Sequence, residues 1–175
     1  MKNLKTLAIL LVSVIITSCS KSDEPEPTPA PLPATNGSFI RATVDGVAFT
    51  SAIFGVETTV VNRVGTGSSR LITLLGGNAI VSTMNIAIEG VTAPGTYVIN
   101  STSSNSFNAL DYTITSPTAV FSAGNCTGSS GTIVVTAIDA TKIEGTFSFT
   151  GKNSENCAAP AKNITAGSFR GVFTN

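Results

Sequence analysis

The sequence predicts an all-β protein, a single antiparallel β-sandwich or barrel of about ten short strands. Three observations carry that expectation. Apolar residues recur at every second position in several windows, the period of a half-buried strand. Glycine, proline, asparagine and aspartate interrupt those windows at short intervals, as tight turns require. No window of useful length combines helical spacing with helix caps.

The chain divides into residues 1–18, 19–36 and 37–175. Lys2 and Lys5 precede an apolar run over residues 7–16 that only Ser13 interrupts. That run is about half the twenty residues a membrane-spanning helix needs, so it reads as a secretory signal peptide. Its end, Ile16-Thr17-Ser18-Cys19, matches the lipobox of bacterial lipoproteins. In that pathway Cys19 takes a diacylglyceryl group on sulfur, and the amine freed by cleavage takes a further acyl chain such as palmitate. Two or three chains hold a protein on a membrane where one barely does, each methylene contributing about 0.8 kcal/mol. The plainer reading is an ordinary signal peptide ending near a chance cysteine.

Prolines at 25, 27, 29, 31 and 33 are five of the eight in the chain. Their alternation forbids a helix and favours an extended spacer. At about 3.1 Å per residue, residues 20–36 reach up to about 50 Å from the lipid. Asp23, Glu24 and Glu26 follow the anchor closely. They resemble the surface-export signal of Bacteroidota lipoproteins, or they simply keep a linker solvated. The expected address is the outer membrane, on its periplasmic or its cell-surface face.

Residues 37–175 suffice for one domain. They carry seven acidic and seven basic side chains, the bases scattered, which argues against nucleic acid as a partner. Residues 38–44 and 47–50 flank Asp45-Gly46, a two-residue hairpin signal. Residues 56–64 and 70–75 flank the loop at 65–69. Met84, Ile86 and Ile88 alternate with polar or small residues up to Gly90, residues 95–99 begin another strand after Pro94, and Leu110, Tyr112 and Ile114 form a further alternating set. Phe169 and Phe173 share one face of a final strand.

Residues 132–139 and 143–150 form the best-defined hairpin. Pairing Asp139 with Ile143 across a three-residue loop sets Phe147 against Val135 and Phe149 against Ile133. A one-residue slip mixes apolar and polar residues on one face, so the first register is preferred. Cys126 precedes this hairpin and Cys157 follows it almost symmetrically, so the hairpin carries them together. A Cys126–Cys157 disulfide suits an exported protein and contributes about 3.7 kcal/mol in the chain-entropy model.

Chemistry-bearing motifs are sparse. The chain has no histidine, hence no usual Ser-His or Cys-His nucleophile pair and no imidazole metal ligand. No catalytic residue, metal site or cofactor is assigned. Glu57, Glu89 and Asp111 are the carboxylates that turns and solvent faces explain least, and a hydrolase acting on glycans through Glu89 and Asp111 is the alternative to a non-enzymatic role. Eleven aromatic rings sit mostly at core-like positions. With no tryptophan and two tyrosines, a stacking platform for sugars is not favoured.

Several patterns line up with a known group: Val44-Asp45-Gly46-Val47-Ala48-Phe49, Gly95-Thr96-Tyr97, Gly131-Thr132-Ile133-Val134-Val135-Thr136, Ile143-Glu144-Gly145-Thr146-Phe147-Ser148-Phe149 and Ile164-Thr165-Ala166-Gly167-Ser168-Phe169. Together they resemble a family of small Bacteroidota lipoproteins with a C-terminal all-β domain of unknown function, over most of residues 38–175. The resemblance implies an exported, lipid-anchored β domain and supplies no catalytic residues. The expected role is a non-enzymatic binding or accessory module, held to the membrane through Cys19, for a glycan, a small lipophile or an envelope protein.

Overall fold

A computed structural model describes residues 37–79, 81–102 and 107–174. The leader, Cys19 and the proline-rich segment lie outside the described residues. Thirteen strands follow one another: β1 (Phe39–Val44), β2 (Val47–Thr50), β3 (Ala52–Ile53), β4 (Val56–Glu57), β5 (Val60–Val64), β6 (Leu71–Asn78), β7 (Ser82–Glu89), β8 (Gly95–Asn100), β9 (Ala109–Thr115), β10 (Thr118–Ser122), β11 (Ser130–Ile138), β12 (Lys142–Asn153) and β13 (Lys162–Val172). A single 3-10 turn, Gly67–Ser69, separates β5 from β6, and the described residues contain no α-helix.

Every strand pair is antiparallel. One layer runs β8-β11-β12-β13-β1-β2 and the other β10-β9-β7-β6-β5. They are continuous because β12 is long: it pairs with β11 up to Thr150, then with β10 through Lys152 and Asn153. The result is a curled sheet, a half-barrel closing on itself as a sandwich. The layers cross rather than align. Near the start of β1, Ile40 packs beside Gly76 of β6; at its far end, Lys162, paired with Asp45, lies over the Phe121 ring of β10.

The alternating windows fold as expected. Met84, Ile86 and Ile88 of β7 and Leu110 of β9 face inward and are wholly buried, joined by Ile72 and Leu74 of β6. Ile133, Ile143, Phe147, Phe149, Ile164 and Phe169 meet them from the other layer. These side chains form the buried core between the layers. Phe173 joins Phe169 in that core, while Phe54 and Phe107 stand out in solvent.

The β11–β12 register differs from the expected one. Ile133 pairs with Phe147 and Gly131 with Phe149, a shift of two residues. Nearer the turn, Ile138 pairs with Ile143 and the ladder slips by one between Val135 and Ala137. Thr136 is the extra residue of this bulge, its hydroxyl donating to the Glu144 carbonyl at 3.2 Å. A two-residue shift keeps the same side chains inward, so apolar patterning could not detect it. Glycine decides it: a Cβ on Gly131 would lie 2.7 Å from Phe149 Cβ, and one on Gly145 would lie 2.7 Å from the Phe169 ring. Each bulky ring therefore faces a glycine on the neighbouring strand.

Candidate functional site

The carboxylates singled out by sequence do not converge. Glu57 of β4 is held by Arg41 at 3.0 Å and accepts from the Ser51 hydroxyl at 3.3 Å. Asp111 pairs across the ladder with Asn85, and its carboxylate accepts from the Asn85 amide at 3.1 Å. Glu89 lies four residues further along β7, about 13 Å away at about 3.3 Å per residue. That is a spacing of backbone positions, wider than the roughly 5–10 Å between the carboxyls of a glycosidase pair. Glu89 instead accepts from the backbone N–H of Phe107 at 3.2 Å. Both carboxylates occupy the sheet face opposite Met84, Ile86 and Ile88, the wet face. Among the described residues, no three His, Cys, Asp or Glu side chains gather as a metal ligand set.

Asp111 does line a polar groove of about 310 Å³. Its walls come from Ile99 and Asn100 at the end of β8, Asn108, Ala109 and Asp111 at the start of β9, Ser122 at the end of β10, and the Gly124-Asn125 turn beyond it. Local structure fixes most of these polar groups. The Asn108 carbonyl oxygen accepts from the Glu89 N–H at 2.7 Å, which aims its amide NH2 elsewhere as a donor. The Asn100 oxygen accepts from both the backbone N–H and the hydroxyl of Thr102. Ser122 accepts from the Gly124 N–H at 3.4 Å. Amide donors thus stand beside a carboxylate acceptor. A hydroxyl group, donor and acceptor at once, matches such a lining better than a purely apolar ligand does.

The disulfide belongs to this site's support. Cys126 and Cys157 are bridged, with Cα atoms 5.6 Å apart. Cys126 is buried and directly follows Gly124-Asn125, so the bridge pins the groove's turn to the loop between β12 and β13. Ser129 tightens the same turn, its hydroxyl donating to the Cys126 carbonyl at 2.7 Å. The sequence reading anticipated the bridge and singled out Asp111 as a candidate hydrolase carboxylate, but passed over Asn100, Asn108 and Asn125, because asparagine near strand ends reads as ordinary turn chemistry. The available signal was its density, with Asn100, Asn105 and Asn108 close together in the sequence.

A second concavity, about 550 Å³ and lined mainly by carbon, lies at the other end of β9. Ile53, Gly77, Ser82, Thr83, Thr115 and Ser116 surround it.

Neither the curated proteins nor the solved structures contain a significant match to the chain. The family models contain one, covering residues 36–173, which is nearly the whole folded part. The chain belongs to the family described as a domain of unknown function, DUF6252.

Proposed function

We propose that this protein is a non-enzymatic Bacteroidota envelope lipoprotein, anchored through acylated Cys19 to the outer membrane, whose β domain binds a hydroxyl-rich ligand of the glycan class. The observation that carries the binding reading is the groove around Asp111, where three asparagine side chains and a serine accompany the carboxylate. Its volume falls at the lower end of the roughly 300–1,000 Å³ of small-molecule sites. Recognition there rests on hydrogen bonds rather than stacking, which accommodates a chain without tryptophan. Phe107, exposed beside Asn108, offers one apolar face at the rim. The lipobox and the tether support the address. The separation of Glu89 from Asp111 weighs for binding over hydrolysis.

Asp111→Asn tests the reading while retaining shape. A charge-assisted hydrogen bond contributes about 1.5–3 kcal/mol, so affinity for a captured glycan falls about 10- to 100-fold. Glycan-array screening of the full chain, followed by calorimetry on both forms, measures it. An unchanged affinity removes the groove from the binding reading; product release from the glycan would replace it with hydrolysis.

A further inference from the structure

The β3–β4 hairpin combines features that packing alone does not explain. Its tip is Phe54-Gly55, with φ 51° and 81°. Such turns favour asparagine, aspartate or glycine at their first corner, and a bulky side chain at positive φ is a backbone outlier. Here that residue is a phenylalanine that is 100% exposed. Val56 beside it is also exposed, as is Val81 on the β6–β7 turn. Among the described residues, none covers the ring.

The neighbourhood is continuous and nearly uncharged. Ile53 on the hairpin borders the carbon-lined hollow with the β6–β7 and β9–β10 ends. Thr58 donates to the Gly77 carbonyl at 2.7 Å, and the Thr115 N–H donates to the Val81 carbonyl at 3.0 Å. Residues 51–60, 75–79, 81–86 and 113–120, which build this end, carry one charged side chain, Glu57, and Arg41 neutralises it.

The hairpin is also rooted where the tether enters. Ser51, three residues before Phe54, donates its N–H to the Ile40 carbonyl at 2.9 Å and accepts the Ile40 N–H on its hydroxyl at 2.7 Å. Ile40 is three residues after Gly37, the first described residue beyond the tether. An apolar, strained finger, its one carboxylate paired with Arg41, thus sits beside the attachment point of the chain that leads to Cys19.

We infer that the β3–β4 hairpin rests in the surface of the lipid layer that holds the anchor, with Phe54 inserted at the interface. An exposed aromatic ring with Val56 exposed two residues on, and a single carboxylate already paired with Arg41, suits that boundary. The inference rests on the reading of Cys19 as lipidated. It orients the domain: β9 spans about 20 Å between the hollow and the groove, so the Asp111 groove faces away from the lipid.

The chain has no tryptophan, so Phe54→Trp and Val98→Trp each give a single tryptophan whose emission is excited selectively over the two tyrosines. Val98 is an exposed position on β8, the strand that borders the groove. The lipidated full chain is reconstituted on phosphatidylethanolamine–phosphatidylglycerol vesicles containing brominated acyl chains. The expected result is flotation with the vesicles, a blue shift and bromolipid quenching for Phe54→Trp, and neither change for Val98→Trp. Flotation with Phe54→Trp unquenched overturns the hairpin contact alone. So does protection from aqueous iodide without bromolipid quenching, which would mark a second copy or another protein as the occupant. Equal quenching at both positions also overturns it. Failure to float defeats the lipid-anchor reading, and the hairpin contact with it.

Discussion

At the scale of single residues, Asp45 shows how much one turn position can determine. With Gly46 it adopts the left-handed conformation that closes the β1–β2 hairpin, at φ 47° and 83°. Its carboxylate accepts from the Asn163 N–H and from Lys162 Nζ, both at 2.8 Å, which ties the hairpin to β13. These bonds, the Asn163 backbone first and Lys162 second, hold its pKa below the ordinary aspartate value. A lowered folded-state pKa favours the ionised form in the native protein. Its stabilisation is therefore complete above about pH 4 and is lost as pH falls through the folded value. Asparagine tolerates the same backbone, so Asp45→Asn isolates the charge. The pair is partly exposed and screened, and the expected loss at pH 7 is no more than about 1 kcal/mol. Urea unfolding at pH 7 and pH 2.5 checks this: the difference between the two proteins should shrink at the lower pH, and a constant difference would exclude the charge as its source.

At the scale of elements, the β11–β12–β13 sheet is keyed by glycines as much as by its aromatic rings. Phe147 lies against Gly167, Phe149 against Gly131 and Phe169 against Gly145 in the ladder. Large rings fit over a twisted sheet only where the facing residue has no Cβ. Gly145→Ala would drive a methyl into the Phe169 ring and the Val134 carbonyl. Overpacking of this kind costs about 2–3 kcal/mol. Gly37→Ala, with nothing within 4 Å of the added carbon, serves as the control and should leave the urea midpoint nearly unchanged. Similar midpoints for the two variants would mean the sheet breathes enough to absorb the methyl, and the keying argument would fall.

At the scale of the molecule, the two layers share β12, and the disulfide reinforces the place where they diverge. The bridge joins the turn after β10 to the loop after β12, closing a separation of 31 residues. Replacing Cys126 and Cys157 together by alanine should lower stability by about 3–4 kcal/mol in the chain-entropy model. It should also weaken ligand capture at the groove, because Gly124-Asn125 loses its covalent support. Denaturant unfolding and calorimetry on the same sample separate the two effects. Full stability after replacement would show that β10–β12 pairing alone holds the turn.

The sequence by itself determined the strand chemistry, the β1–β2 turn, the inward set of Met84, Ile86, Ile88, Ile133, Phe147 and Phe149, and the Cys126–Cys157 partnership. All of these follow from local periodicity, backbone preference or near-symmetric spacing. Tertiary structure alone decided the β11–β12 register, because a two-residue slip preserves every inward side chain and only the volume opposite each ring tells the registers apart. It alone gathered Asn100, Asn108, Asp111 and Asn125 into one groove while leaving Glu89 outside it, since those residues meet through strand crossing and not through spacing. It alone exposed Phe54: a ring in an apolar stretch reads as core until the fold shows that none of the described residues covers it.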